Sequence, residues 1–290
     1  MINLVPHSTS SKPLAMQSSL KNLILMITIG LSAILPGGLV VSAETVYNQA
    51  SLKRPLTRER YPLALSNWDT FLGFDYSQEF KQVYTYNNYE SSAQGLLLSA
   101  RQDYPQNPLY DPNSDDPRIN KSQAIYSGGR LELKEKFQYG HIQIKAKLPN
   151  NPGLLPAIWL IGDGSQGYGE IDIAEAPGND NRAYATIHYG DNPTDITSAY
   201  KEKTINNIGT KFHYYDIYRF PDLVVILYDG ILVYEFNPEI SRQPNGQVPL
   251  NQPMTLVLNV AVHEGWAKAV DPKQLPGIME VLEIFVGHYN

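Results

Sequence analysis

Polar and apolar side chains alternate along most of the chain after Glu44. In His141-Ile142-Gln143-Ile144-Lys145-Ala146-Lys147-Leu148 the character changes at every step. A period of two puts every second side chain on one face, which suits a strand with one side on a core and the other in water. A surface helix needs its apolar residues three and four apart, and long stretches of that kind are hard to find. Residues 223–228 and 231–236 are β-rich runs joined by Asp229-Gly230, a dipeptide that tolerates the positive φ a two-residue hairpin turn requires. Further strands are predicted over residues 95–101, 129–136, 157–162, 169–176, 182–189, 212–219, 253–262 and 279–286. Short strands separated by turn residues predict an all-β fold, a jelly-roll β-sandwich of two antiparallel sheets. Residues 103–120 and 191–210, rich in Pro, Asn and other polar residues, are expected to be long surface loops. Asp111, Asn113 and Asp115 in the first have the spacing of a calcium loop, but Asp116 and Ser122 stand where such a loop needs Gly and Glu, so a solvated loop is expected.

The first 43 residues break the pattern. They contain no acidic residue, and Lys12 and Lys21 precede an apolar run from Leu23 to Leu35. Val41-Ser42-Ala43 supplies small residues at the positions a signal peptidase reads. Residues 1–43 are therefore expected to be a signal peptide and residues 44–290 a single β-sandwich domain, secreted or periplasmic, acting as a monomer and free of the membrane. A retained anchor is the competing reading, although Pro36 and Gly37-Gly38 interrupt the run before the ~20 residues needed to span a bilayer. Loss of the leader leaves 21 basic against 29 acidic side chains, a formal charge of −8, which disfavours nucleic acid as a partner. With no cysteine, thiolate chemistry and disulfides are excluded.

Gly169-Glu170-Ile171-Asp172-Ile173-Ala174-Glu175 places three carboxylates within six residues of a strand whose other face is apolar. In a regular strand Glu170 and Asp172 share a face and Glu175 points away. One extra residue near Ala174, a β-bulge, would bring all three together, and bulges are common beside active sites. Crowded carboxylates raise at least one pKa, so one group keeps its proton while another is ionised. A retaining glycosidase needs that division between nucleophile and acid. The same acids would also suit a hard cation, or simply face solvent on an ordinary sheet.

Flanking segments narrow the reading. Gly153-Leu154-Leu155-Pro156-Ala157-Ile158-Trp159-Leu160 precedes the acids and Thr186-Ile187-His188-Tyr189-Gly190 follows them. With Tyr126-Ser127-Gly128-Gly129-Arg130, Tyr139-Gly140 and Leu258-Asn259-Val260-Ala261-Val262, the chain from about Asn87 to Val286 resembles glycoside hydrolase family sixteen, in its laminarinase-like β-1,3(4)-glucanase branch. The resemblance implies that Glu170 is the nucleophile, Glu175 the general acid/base and Asp172 the residue that tunes the pair. It implies substrate-binding positions at Trp159, His188, Trp266, Arg130 and Asn88, the last of a pair with Asn87. The function it implies is endo-acting, retaining hydrolysis of β-1,3- or mixed β-1,3/1,4-glucan through a covalent glycosyl-enzyme, with a polysaccharide as partner, no organic cofactor and no catalytic metal.

The chain also departs from that pattern. Leu155 stands in place of a tryptophan, and Gly164-Ser165-Gln166-Gly167-Tyr168 lacks the usual Trp-Pro, which leaves Tyr168 as a substitute sugar contact. His263-Glu264 replaces a Gly-Gly pair, and Leu282 replaces an Asp that helps bind structural calcium in the family, so calcium is not predicted. Other polysaccharides, such as an agar-type galactan or xyloglucan, transglycosylation, and a non-catalytic carbohydrate-binding protein on the same fold remain open alternatives.

Overall fold

Alternation becomes strand pairing almost wherever it occurs. The protein was analysed as a computed structural model that describes residues 56–289 apart from Gln78 and Asn179; the expected leader lies outside the described residues. The strands are Leu56–Tyr61 (β1), Trp68–Thr70 (β2), Gly73–Phe74 (β3), Gln82–Tyr84 (β4), Tyr89–Ser92 (β5), Gly95–Gln102 (β6), Tyr126–Phe137 (β7), Gly140–Lys147 (β8), Leu154–Gly162 (β9), Tyr168–Glu175 (β10), Arg182–Asn192 (β11), Asp195–Thr204 (β12), His213–Arg219 (β13), Val224–Tyr228 (β14), Ile231–Phe236 (β15), Met254–Val262 (β16) and Gly277–Tyr289 (β17). Among the described residues the helical elements are short 3-10 turns, and none is long and apolar enough to cross a membrane.

Two sheets face each other. One, which carries the acids, runs β2-β7-β16-β9-β10-β11-β12, antiparallel throughout. The back sheet runs β15-β14-β13-β8-β17, and the far edge of β17 pairs first with β6 and then with β1. At one corner β6 pairs with β7, which ties the sheets together. Ile142, Ile144 and Ala146 of β8 enter the core while Gln143, Lys145 and Lys147 alternate with them on the other side. Ile158, Leu160, Ile171, Ile187, Leu256 and Leu258 of the site sheet join Leu96, Leu98, Ile217, Ile226 and Ile284 of the back sheet in one cluster. The architecture is the expected all-β sandwich. Asp229 and Gly230, with φ of 50° and 78°, make the predicted hairpin turn between β14 and β15.

One sequence expectation fails. Residues 191–210 are not a free loop, because Asp195–Thr204 forms β12 and pairs with β11 along its length. Its side chains are almost all exposed, so the strand has no apolar face to announce it. Backbone pairing holds it at the sheet edge, helped by contacts of Ser198 with His188 and Glu202 with Arg182.

Ile171 lies beneath the acids with no exposed surface. Its replacement by Ala should lower stability by about 2–5 kcal/mol in urea unfolding, through lost burial and the cavity left behind. A change within experimental error would contradict its place in the core.

Candidate active site

Three carboxylates share a face because β10 carries one residue too many. From Asp172 to Glu175 it takes three steps where β11 takes two, from Thr186 to Tyr184. Against β9, Asp172 and Ala174 oppose Trp159 and Ile158, so Ile173 has no partner in either ladder. Ile171, Ile173 and Ala174 all enter the core. Two sequence neighbours turned to one side are the mark of a β-bulge, and the residue after them returns to the face it would otherwise have left. Glu175 thus joins Glu170 and Asp172, and the hydroxyl of Thr186, opposite Asp172, donates to its Oε2 at 3.0 Å. Gly169 precedes the acids for a steric reason: a Cβ there would lie 2.2 Å from the carbonyl oxygen of Pro249.

The three acids sit in unlike surroundings. Tyr168 Oη donates to Glu170 Oε2 at 2.5 Å, and His188 Nε2 lies 3.8 Å from Glu170 Oε1. Burial raises the Glu170 pKa, but the Tyr168 hydrogen bond, His188 and Arg130 all pull it back. Asp172 is pushed well above the usual carboxylate range by burial and then by the charge of Glu170. Its Oδ2 has no hydrogen-bond partner, because His188 Nε2, 3.3 Å away, is at ion-pair distance without hydrogen-bond alignment. Glu175 is also pushed well up, by burial first and by Asp172 next, against which the Thr186 bond works only in part. Glu170 is therefore the acid with most help in losing its proton, and Glu175 keeps its own to higher pH. Such a pair can divide attack and protonation. Glu170, Asp172 and His188 also bring ligand atoms within 4.8 Å of one another, a spacing that would suit a cation.

Most of the other expected residues gather around this row. His188 sits opposite Glu170, with Nδ1 2.6 Å from the Ser198 hydroxyl. Trp159 sits opposite Asp172; its Nε1 donates to Asn259 Oδ1 at 2.7 Å, and the Arg130 guanidinium stacks 4.9 Å from its ring. Arg130 also pairs with Glu132 at 2.7 Å and Asp75 at 3.7 Å. On the other flank Trp266 meets Tyr184 edge-on at 5.1 Å while 39% of its surface stays exposed. Tyr168 reaches the acid itself, more than the sugar contact expected of it. Asn88 does not join the group. It is 1% exposed and its amide donates to Ser99 O and Ser127 Oγ, so it holds the fold together. Leu155, the tryptophan replacement, is buried.

Thr186, Tyr184 and Ser198 escaped the sequence reading. Thr186 and Tyr184 precede His188 by two and four residues and so share its face, a signal that period two already carried. A groove of about 650 Å³ opens on the back sheet, among Tyr214, Asp216, Tyr218 and Phe285, and includes none of the acids.

Known proteins resemble this chain in sequence and in fold. Residues 76–274 match the family model described as Glycosyl hydrolases family 16. A beta-glucanase of Rhodothermus marinus is 32% identical over 181 residues, 54% of this chain and 60% of that protein. A keratan-sulfate endo-1,4-beta-galactosidase of Sphingobacterium multivorum is 30% identical over 177 residues, 58% of this chain and 41% of that protein. The chain thus spans about half the length of these two relatives. The solved laminarinase from Rhodothermus marinus superposes with a TM-score of 0.63 at 28% identity, covering 78% of this chain and 91% of the other.

The raised pKa of Glu175 has a consequence for stability. Above its folded pKa the chain buries a charge that the unfolded state leaves in water, so folding is penalised there, and the penalty disappears as pH falls toward the unfolded value of about 4.3. Glu175→Gln should accordingly raise the Tm at pH 7, with the gain shrinking to nothing near pH 4. A gain that grows as pH falls would contradict the assigned shift.

Proposed function

The chain belongs to the glycosyl hydrolases of family 16, and from that membership we propose that it is a secreted, endo-acting, retaining hydrolase of β-1,3- or mixed β-1,3/1,4-glucan. Glu170 is the nucleophile, Glu175 the general acid/base, and Asp172 the residue that tunes the pair. The observation that carries this reading is the bulge, which gives one face two glutamates with unequal hold on their protons.

In the first step Glu170 attacks the anomeric carbon, the bond to the leaving oxygen breaks, and Glu175 gives its proton to that oxygen. In the second, Glu175 takes a proton from water, the water oxygen attacks the same carbon, and Glu170 leaves as carboxylate. Asp172, buried and holding its proton to high pH, keeps negative charge from accumulating between them until the developing positive sugar can balance it. Trp159 and Trp266, on either flank, offer rings that suit the apolar faces of a pyranose.

The acidic surroundings favour an uncharged glycan. Arg130 is engaged by Glu132 and Asp75, and Glu202 lies opposite Tyr184 at the other flank. Sulfate would meet repulsion there. A galactan is the second reading, and the galactosidase relative speaks for it.

Incubation with laminarin, lichenan, agarose and keratan sulfate, followed by proton NMR, should show β-anomeric product from the first two. Inverted product would overturn the mechanism, and cleavage of keratan sulfate or agarose alone would overturn the glucan assignment. Glu175→Gln should lower turnover of polysaccharide by at least about a hundredfold. Tyr168→Phe removes a donor to Glu170, so the acid limb of the kcat/KM profile should move to higher pH; a limb that stays or moves down would contradict that role. EDTA should leave activity unchanged, whereas its loss, restored by a divalent cation, would favour a metal at Glu170, Asp172 and His188.

A further inference from the structure

A bulge needs something to fix where it falls. If the extra residue of β10 moved by one position, the side chains between would change face, and Glu175 with them. Neither neighbouring strand pins Ile173, which is skipped in both ladders. The back sheet does. Tyr228 of β14 reaches across the core and its Oη donates to the backbone carbonyl of Ile173 at 2.8 Å. That hydroxyl is buried, as is the carbonyl, so neither has water as an alternative. The ring is braced edge-on by Tyr215, 5.4 Å away at 69°. Glu175 and Asp172 lie close enough for their charges to act on the Tyr228 hydroxyl.

We infer that Tyr228 is a positioning residue for Glu175: its hydroxyl, anchored in the opposite sheet, holds the β10 bulge in the register that turns Glu175 toward the same face as Glu170. The inference rests on the hydrolase reading above and adds to it a residue that touches neither substrate nor carboxylate. The side chains described against the acids themselves, Tyr168, His188 and Thr186, come from their own sheet. The hydrogen bond from Tyr228 spans the two sheets, and it meets the strand at the one residue the ladders leave out.

Tyr215 provides an internal control. Its hydroxyl is equally buried in the same ring pair but has no hydrogen-bond partner. Tyr215→Phe removes the same atom from the neighbouring ring without removing a hydrogen bond to β10.

The test compares two substrates. Laminarin has an alkoxide leaving group that needs the proton of Glu175, whereas a 2,4-dinitrophenyl β-glycoside of the same sugar releases a stable phenolate that does not. Tyr228→Phe should lower kcat/KM on laminarin about ten- to a hundredfold, the scale of a misplaced catalytic group, with KM little changed. On the dinitrophenyl glycoside it should stay within about twofold of wild type, because departure there needs no general acid. Tyr215→Phe should match wild type on both. Should the phenylalanine variant not fold, 4-aminophenylalanine and 4-methylphenylalanine at position 228 make the same comparison: they are alike in bulk, and only the first can donate. Equal loss on both substrates, or no loss on laminarin, overturns the role of Tyr228 and leaves the hydrolase reading standing. Failure of the wild type to cleave any glycan overturns both.

Discussion

One surplus residue in β10 governs the rest of the site. A strand without it would show Glu170 and Asp172 on one face and bury Glu175 against the core, where an unpaired carboxylate is strongly disfavoured. With it, Ile173 and Ala174 take the core positions and all three acids come to the same side. The sequence Glu-Ile-Asp-Ile-Ala-Glu therefore makes physical sense only as a bulged strand. Its apolar residues satisfy the sandwich, and its acids accept a crowding that stability alone would not select.

That crowding has a direction. The same burial raises all three carboxyls, but only Glu170 receives a phenolic hydrogen bond together with the pull of both His188 and Arg130. Glu175 has a single threonine hydroxyl to set against its burial and the charge of Asp172. Proton affinity therefore differs along one short strand, and it does so through Tyr168 of β10 itself and the neighbours β11 and β7 supply. The sandwich sets these neighbours because antiparallel register places His188, Thr186 and Tyr184 opposite the acids in turn.

Much of this was legible before any coordinates. Period two, the Asp229-Gly230 turn and the apolar runs of β9 and β16 are local signals, and each became the predicted element. The need for an extra residue near Ala174 followed from counting faces. What could not be read was whatever depends on the opposite sheet or on backbone alone. β12 has no buried side to betray it, and it is a strand only because β11 lies beside it. Asn88 sits at a position that sugar-binding relatives suggest, yet the packing of Ser99 and Ser127 turned its amide inward. The hydrogen bond of Tyr228 joins residues 55 apart in sequence, a pairing no periodicity can announce.

The central claim is that Glu170 and Glu175 share one face with opposite duties, and its most direct test is chemical. A 2-deoxy-2-fluoro glycosyl fluoride of the preferred sugar slows the second step and lets the first accumulate, so that mass spectrometry of a proteolytic digest can locate the attached sugar. The account predicts one sugar per chain, on the peptide that holds residues 168–175 and at Glu170, with Glu175 unlabelled. A label on Glu175, or inactivation with no attached sugar at all, would contradict it.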